Sequence, residues 1–262
     1  MSKPPIRFDD GAAYERGMGG WSRVAGGMFL DWLAPAKGLA WVDVGCGNGA
    51  FTEVLMQRCA PTEVQGLDPA EPQLAYARER PGTAGAVFQQ AGAEALPFAD
   101  ARFDAACMAL VIFFVPNPAQ GVAEMARVVR PGGLVAAYVW DILDGGFPFE
   151  PVLAGLRGLG YTPALPPSAP ASRMPALRAL WEGAGLVEVQ SRALVVERRF
   201  PDFESYWESS TNSGSVKSTL GKLPVEQLDS FKAGVRARLV ALPGGGVGYT
   251  ARANAISGRV AG

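Results

Sequence analysis

The chain contains no histidine and only three cysteines, Cys46, Cys59 and Cys107. Without imidazole a typical zinc site cannot be assembled, and any general base must be a carboxylate, a tyrosine or a lysine. The cysteines are odd in number and lack C-x-x-C spacing, so neither a disulfide framework nor a metal site is expected. They read as small buried apolar groups of a protein in a reducing cytoplasm. Long apolar runs are missing too. The longest, Ala105 to Val115, is eleven residues and too short to span a bilayer, while residues 1–10 are polar and proline-containing, unlike a signal peptide. Charge of one sign is also scarce. The net charge of −1, without a basic cluster, argues against a nucleic-acid partner. There is no internal repeat.

What is present is a regular alternation of apolar patterns. The 262 residues, 48% of them hydrophobic, suffice for one α/β domain with insertions. Trp21, Val24, Ala25, Met28, Phe29, Trp32 and Leu33 recur at helical spacing and predict an amphipathic helix ending at Pro35. Strands are expected near 39–45, 63–68, 86–90, 103–111 and 133–141, with helices near 49–59, 70–79 and 117–129 between them. Such alternation implies parallel strands with right-handed crossovers. Asn117-Pro118 reads as a helix N-cap followed by proline at the first helical position. Beyond Asp141 the pattern breaks. The stretch from Asp144 to Pro170 is rich in Gly and Pro, and Pro163, Pro166, Pro167 and Pro170 exclude a long helix there. A helix near 173–183, a strand near 186–196, inserted helices over 201–242 and a last strand near 248–258 complete the expectation.

The run Val42-Asp43-Val44-Gly45-Cys46-Gly47-Asn48-Gly49 ends a buried strand and opens a helix. Glycine tolerates positive φ and lets a ligand touch the backbone, and the new helix offers unpaired N–H groups. Asp68 follows 23 residues after Gly45 at the end of the next apolar segment, where ribose hydroxyls want a bidentate acceptor. Gly45-x-Gly47-x-x-Ala50 also fits a dinucleotide fingerprint, and both readings use Asp68. Three further features favour a cofactor without phosphate: Asp43, the segment Ala93-Glu94-Ala95-Leu96-Pro97-Phe98 leading into Phe103-Asp104, and Arg130-Pro131-Gly132-Gly133 before a strand. An acid beside the turn repels a pyrophosphate but suits a sulfonium and an ammonium.

In this order the residues resemble the class I S-adenosylmethionine-dependent methyltransferases, in the small-molecule branch that includes ubiquinone and menaquinone biosynthesis enzymes. The match starts at Tyr14 and Trp21-Ser22 and runs through the glycine turn, Asp68-Pro69, Ala93 to Phe98, and Asp104. It continues through Glu124-Met125, Arg127-Val128 and Arg130 to Gly133, and reaches Trp140-Asp141. The resemblance implies a Rossmann-like, seven-stranded sheet, mostly parallel with an antiparallel last strand, and helices on both faces. It implies S-adenosylmethionine held by Tyr14, Trp21, Asp43, Gly45, Cys46, Gly47, Asp68, Pro69, Gly92, Ala93, Glu94 and Leu110, with Cys46 acting through its backbone. Tyr14 and Trp21 would set aromatic faces against the sulfonium. Asp43 has a plainer alternative as a helix cap or partner of a buried donor, and Asp68 as a turn residue before Pro69. Arg130 to Gly133 reads as a structural turn. Two departures stand out. Gly92 replaces the Asp that reaches the adenine amino group, leaving the Ala93 backbone N–H, and Gly20 replaces an Arg before the Trp-Ser pair, with Arg23 a candidate substitute.

By the same resemblance the chain is one domain: residues 1–36 cover the cofactor, 37–141 bind it, and 142–172 with 201–242 rise as a lid. Phe147, Phe149, Tyr161, Phe200, Phe203, Tyr206 and Trp207, in or next to those insertions, favour a small apolar or aromatic acceptor, methylated on O, C or N. The base candidates are Tyr138, Asp141, Glu150 and Tyr206. Orientation of the reactants supplies most of the rate in such a displacement. The expected state is a monomer or homodimer. Two alternatives remain: a non-catalytic S-adenosylmethionine-binding regulator, and a nicotinamide-dependent dehydrogenase.

Overall fold

The computed structural model describes residues 15–212 and 214–262. A helical turn, Glu15–Gly19, leads into α1 (Gly20–Leu33), whose C-cap Ala34 takes a left-handed conformation before Pro35 stops the helix. Then β1 (Ala40–Val44), α2 (Ala50–Cys59), β2 (Glu63–Asp68), α3 (Glu71–Glu79), β3 (Val87–Gln90) and β4 (Phe103–Ala109) alternate. After them come α4 (Pro118–Val128), β5 (Val129–Trp140), α5 (Glu150–Gly158), α6 (Met174–Gly183) and β6 (Val187–Phe200). Helices α7 (Phe203–Thr211), α8 (Gly214–Leu220) and α9 (Val225–Arg236) precede β7 (Val240–Ala241) and β8 (Val247–Arg259).

The sheet order is β3-β2-β1-β4-β5-β8-β6, with β7 added beside β8. Strands β1 to β5 pair in parallel, and β8 lies antiparallel between β5 and β6. The central strands are buried on both faces, which is why Ala105, Ala106, Cys107 and Met108 follow one another without a polar residue. The expected mostly parallel, Rossmann-like sheet is therefore present, but with eight strands in place of seven. The added strand has only two residues, too few to leave an alternating pattern in the sequence. Two boundaries also moved. Strand β5 begins at Val129, because Phe103 pairs Val129 and Ala105 pairs Leu134, so the Arg130 to Gly133 turn is an irregularity within the strand. Strand β6 continues four residues past the expected end, to Phe200.

Several motif residues lock the fold. Glu124 accepts from Leu96 N–H at 2.8 Å, while Arg127 donates to the carbonyls of Leu96 and Phe98. Asp104 accepts from Ala40 N–H at 2.8 Å and from Arg130 at 2.6 Å, tying β4 to the start of β1. Asn117 caps α4 by accepting from Gln120 N–H. Among the inserted segments, α5 lies upstream of the proline cluster and packs against α9, where a Cβ on Gly155 would meet Phe231. The Ser209 hydroxyl of α7 donates to Gly17 O at 3.1 Å, and Ser168 N–H donates to Phe113 O at 3.0 Å. Both insertions thus close on segments at the C-terminal rim of the sheet, where ligands lie in open α/β sheets.

Candidate active site

The parallel pairing of β1 with β2 brings the glycine turn and Asp68 together at that rim. Gly45 and Cys46 donate their N–H groups to Leu67 O at 2.7 and 2.8 Å. Gly45, Gly47 and Gly49 have φ of 78°, 53° and 77°, a run that side chains disfavour. The three serve different ends. A Cβ on Gly45 would lie 2.5 Å from the Val111 methyls and one on Gly49 3.1 Å from Ala77, so these two permit packing. A Cβ on Gly47 would find its nearest atom at 4.0 Å, in open space. A Cβ on Gly92, in the loop after β3, would likewise meet nothing within 4 Å.

Asp68 is half-buried and divides its carboxylate between Gly47 N–H at 3.0 Å and Ala70 N–H at 2.8 Å. Burial raises its pKa, and the two backbone donors oppose that rise. Pro69 O accepts from the Gln90 amide at 2.8 Å. Asp43 ends fully buried, its carboxylate accepting from the Thr52 hydroxyl at 2.6 Å and facing Cys107 Sγ at 4.0 Å. Among the described residues no cation pairs with it, and burial pushes its pKa up to about 7. Burial also raises the Cys46 thiol well above its usual range, so that cysteine is an inert filler behind the turn. Leu110 closes β4 at φ 64°, a position uncommon for a branched residue, with its N–H bound to Tyr138 O at 2.8 Å.

Other expected contributors make contacts within the fold. Tyr14 is outside the described residues. Glu94 turns its carboxylate to Asn117 N–H at 2.8 Å, which fixes the loop after β3 to α4. Trp21 is fully buried and joins an aromatic layer with Trp140, Phe200 and Tyr249, ring centroids 6.2–6.3 Å apart, with the Arg198 guanidinium 5.3 Å from its ring. Its surroundings are thus those of an aromatic core. The four base candidates are committed as well. Tyr138 is buried between Phe29 and Phe51, with ring centroids at 4.7 and 5.7 Å, because α1 and α2 pack over that face of β5. Asp141 accepts two bonds from Arg252, at 2.6 and 2.9 Å. Glu150 pairs with Arg157. Burial drives the Tyr206 phenol above its usual range, away from base chemistry.

Two features escaped the sequence reading. Arg80 donates to Asn48 O, Glu53 and Glu15, and Glu15 also pairs with Arg23, so the segment before α1 is moored to the glycine turn. Arg23 therefore does not take the place left open at Gly20. A Cβ at Gly20 would lie 2.7 Å from Arg198 Cζ, so Arg198 fills that space from β6. A charged residue at an inward position of β6, between Val196 and Phe200, is the signal that could have revealed it.

Residues 42–137 match the methyltransferase domain family. The chain is similar to the malonyl-[acyl-carrier protein] O-methyltransferase of Erwinia pyrifoliae, 29% identical over 200 residues, covering 76% of this chain and 71% of that one. It is also similar to the rice (Oryza sativa subsp. japonica) 2-methyl-6-phytyl-1,4-hydroquinone methyltransferase 2, 38% identical over 108 residues. That match covers 40% of this chain but only 31% of that protein's length. Among solved structures, the YcgJ protein of Bacillus subtilis has the same fold, with a TM-score of 0.60 at 18% identity over 91% of this chain and 99% of that one.

Proposed function

Because this chain belongs to the class I S-adenosylmethionine-dependent methyltransferases, we propose that it methylates a small acceptor with an apolar or aromatic body, held beneath residues 142–172 and 201–242 as a lid. The observation that carries the reading is the glycine turn facing Asp68, with open space at Gly47 and Gly92. S-adenosylmethionine, when bound, supplies a methyl group on a positively charged sulfur. Asp68 would take the ribose hydroxyls, Gly45 and Gly47 the amino-acid moiety, and Gly92 with Ala93 and Leu110 the adenine. Asp43 suits the cationic end, since it is a buried acid without a cation among the described residues. These residues orient the reactants and exclude water; none is asked to move a proton. Orientation of that kind supplies roughly 7–11 kcal/mol of barrier reduction.

Calorimetric titration with S-adenosylmethionine and with NAD tests the cofactor. Saturable binding of the first and none of the second is expected, and the reverse would restore the dehydrogenase reading. Transfer of labelled methyl from the cofactor to an acceptor separates an enzyme from a binding protein. Asp68→Ala is expected to weaken S-adenosylmethionine binding by about 1.5–3 kcal/mol. Asp68 also anchors Gly47 and Ala70, so Asp68→Asn is measured beside it. The amide keeps an acceptor for one N–H group while removing the charge, and it should lose affinity with a smaller fall in thermal midpoint. Native affinity in both variants would remove the ribose assignment.

A further inference from the structure

Strand β6 runs parallel to β5 but continues beyond it. Trp140, the last residue of β5, and Leu194 both sit opposite Ala253, whereas Arg198 sits opposite Tyr249, four residues further along β6. At about 3.3 Å per residue, Arg198 rises roughly 13 Å past the end of β5, above the rim that holds the glycine turn. The β6–β8 hairpin therefore forms a wall there. Arg198, Phe200 and Tyr249 face inward from it, Trp21 and Trp140 lie at its foot, and Tyr206 of α7 packs across Phe200 and Tyr249.

This wall carries an imbalance of hydrogen-bonding groups. Trp21 Nε1, Trp140 Nε1 and Arg198 Nη1 are buried and have no hydrogen-bond partner among the described residues, and Asp141 Oδ1, next in sequence to Trp140, is a buried acceptor that has none either. The three donor-only groups outnumber it. The guanidinium stacks 5.3 Å from the Trp21 ring and 4.8 Å from the Phe200 ring, and no described carboxylate pairs with it. The nearby acids are already committed: Glu15 pairs with Arg23 and Arg80, and Glu150 with Arg157. Burial, and after it the charge of Arg23, lowers the proton affinity of Arg198, so an anion beside it is favoured. Buried donors left without acceptors are costly, and a group offering two anionic oxygens relieves the cost where a neutral apolar group does not.

We propose that Arg198, with the indole N–H group of Trp21, binds the carboxylate of the methyl acceptor, making this enzyme a carboxyl O-methyltransferase. The proposal deepens the methyl-transfer reading above and rests on it. One carboxylate oxygen forms the new bond to the methyl carbon, and the electron pair of the breaking carbon–sulfur bond stays on sulfur. The products are a neutral methyl ester and a neutral thioether. No proton moves, which accounts for a site without histidine whose four base candidates are all engaged or buried. A carboxylate is chosen over a phosphate because a single guanidinium among aromatic rings balances one negative charge and leaves a dianion short of cations.

The probes are 4-phenylbutyrate, its primary amide and 2-phenylethyl phosphate. Each is titrated into the full chain saturated with S-adenosylhomocysteine and read by tryptophan fluorescence, since the Trp21 ring lies 5.3 Å from the guanidinium and the Trp140 ring 6.3 Å from that of Trp21. The carboxylate is expected to bind at least about tenfold more tightly than the amide or the phosphate. R198Q should abolish that preference and R198K retain part of it. Labelled methyl from the cofactor should appear as a base-labile ester of phenylbutyrate. Equal binding of carboxylate and amide, a preference that survives in R198Q, or tighter binding of the phosphate would each overturn the proposal. Affinity for S-adenosylmethionine, measured on the same samples, reports separately on the underlying function and on the fold of the variants. Its absence in the wild type would fail the function reading, and its presence without a carboxylate preference fails only this one.

Discussion

Gly47→Val is expected to leave the protein folded and to abolish measurable binding of S-adenosylmethionine. A Cβ at this position meets no protein atom closer than Gln73 Oε1 at 4.0 Å, so the new side chain enters the space assigned to the amino-acid moiety and not the core. The backbone there holds φ at 53°, which costs an L-residue roughly 1–2 kcal/mol and a β-branched one more. That is a minor part of the stability of a domain this size. Gly45→Ala makes the contrast. Its Cβ would lie 2.5 Å from Val111, so the loop after β4 must move, and a lowered thermal midpoint should accompany any loss of binding. Gly47→Ala separates backbone strain from bulk, keeping the first and shrinking the second. The measurements are near-ultraviolet circular dichroism and thermal midpoint for the fold, and calorimetry for the cofactor. A folded Gly47→Val protein that binds S-adenosylmethionine with native affinity would sink the assignment of this turn.

Those two glycines also show what a sequence makes legible. The turn and Asp68 were readable because both are local: an apolar strand, a side-chain-free bend, and an acid at the end of the next strand. Parallel register then brings the two together. The order of core elements was legible for a related reason, since strands buried on both faces leave unbroken apolar runs bounded by turn residues. What was missed depends on distant parts of the chain. The length of β6 is set by its pairing with β8 out to Val247, and that outer stretch carries Glu197, Arg198 and Arg199, which broke the apolar pattern. Trp21 was expected over the cofactor, yet Trp140, Phe200 and Tyr249 gather it into a layer contributed by four separate elements. Asp141 and Glu150 were plausible bases until Arg252 and Arg157 were found against them. A pattern of single residues carries no record of which partner a charge will find.

The acid beside the turn supplies the second large effect, and its sign can be worked out. Asp43 has a folded pKa pushed up to about 7, against an ordinary value of 3.8, because the end of β1 is sealed from water. A folded pKa above the unfolded one means that the native state holds the proton more tightly. The Asp43 contribution to stability is thus intact below about pH 4, falls as pH rises toward 7, and is fully lost above it. A shift of about three units corresponds to at most roughly 4 kcal/mol. Asp43→Asn, which keeps an oxygen for the Thr52 hydroxyl, removes this one titration and leaves the others in place. The expected result for the cofactor-free protein is that native and variant unfold at similar urea midpoints near pH 4.5, and that the variant becomes clearly more stable by pH 8. Cofactor should reverse the ranking. A sulfonium and an ammonium beside the ionised carboxylate repay its desolvation, so S-adenosylmethionine should stabilise the native protein more at pH 8 than at pH 5.5. Its binding near pH 6.5 should release a proton, seen as a calorimetric enthalpy that varies with the ionisation heat of the buffer. The Asn variant should show neither the release nor the pH-dependent gain. A constant stability difference between native and variant from pH 4.5 to 8 would mean that Asp43 stays ionised throughout, held by a partner other than the cofactor.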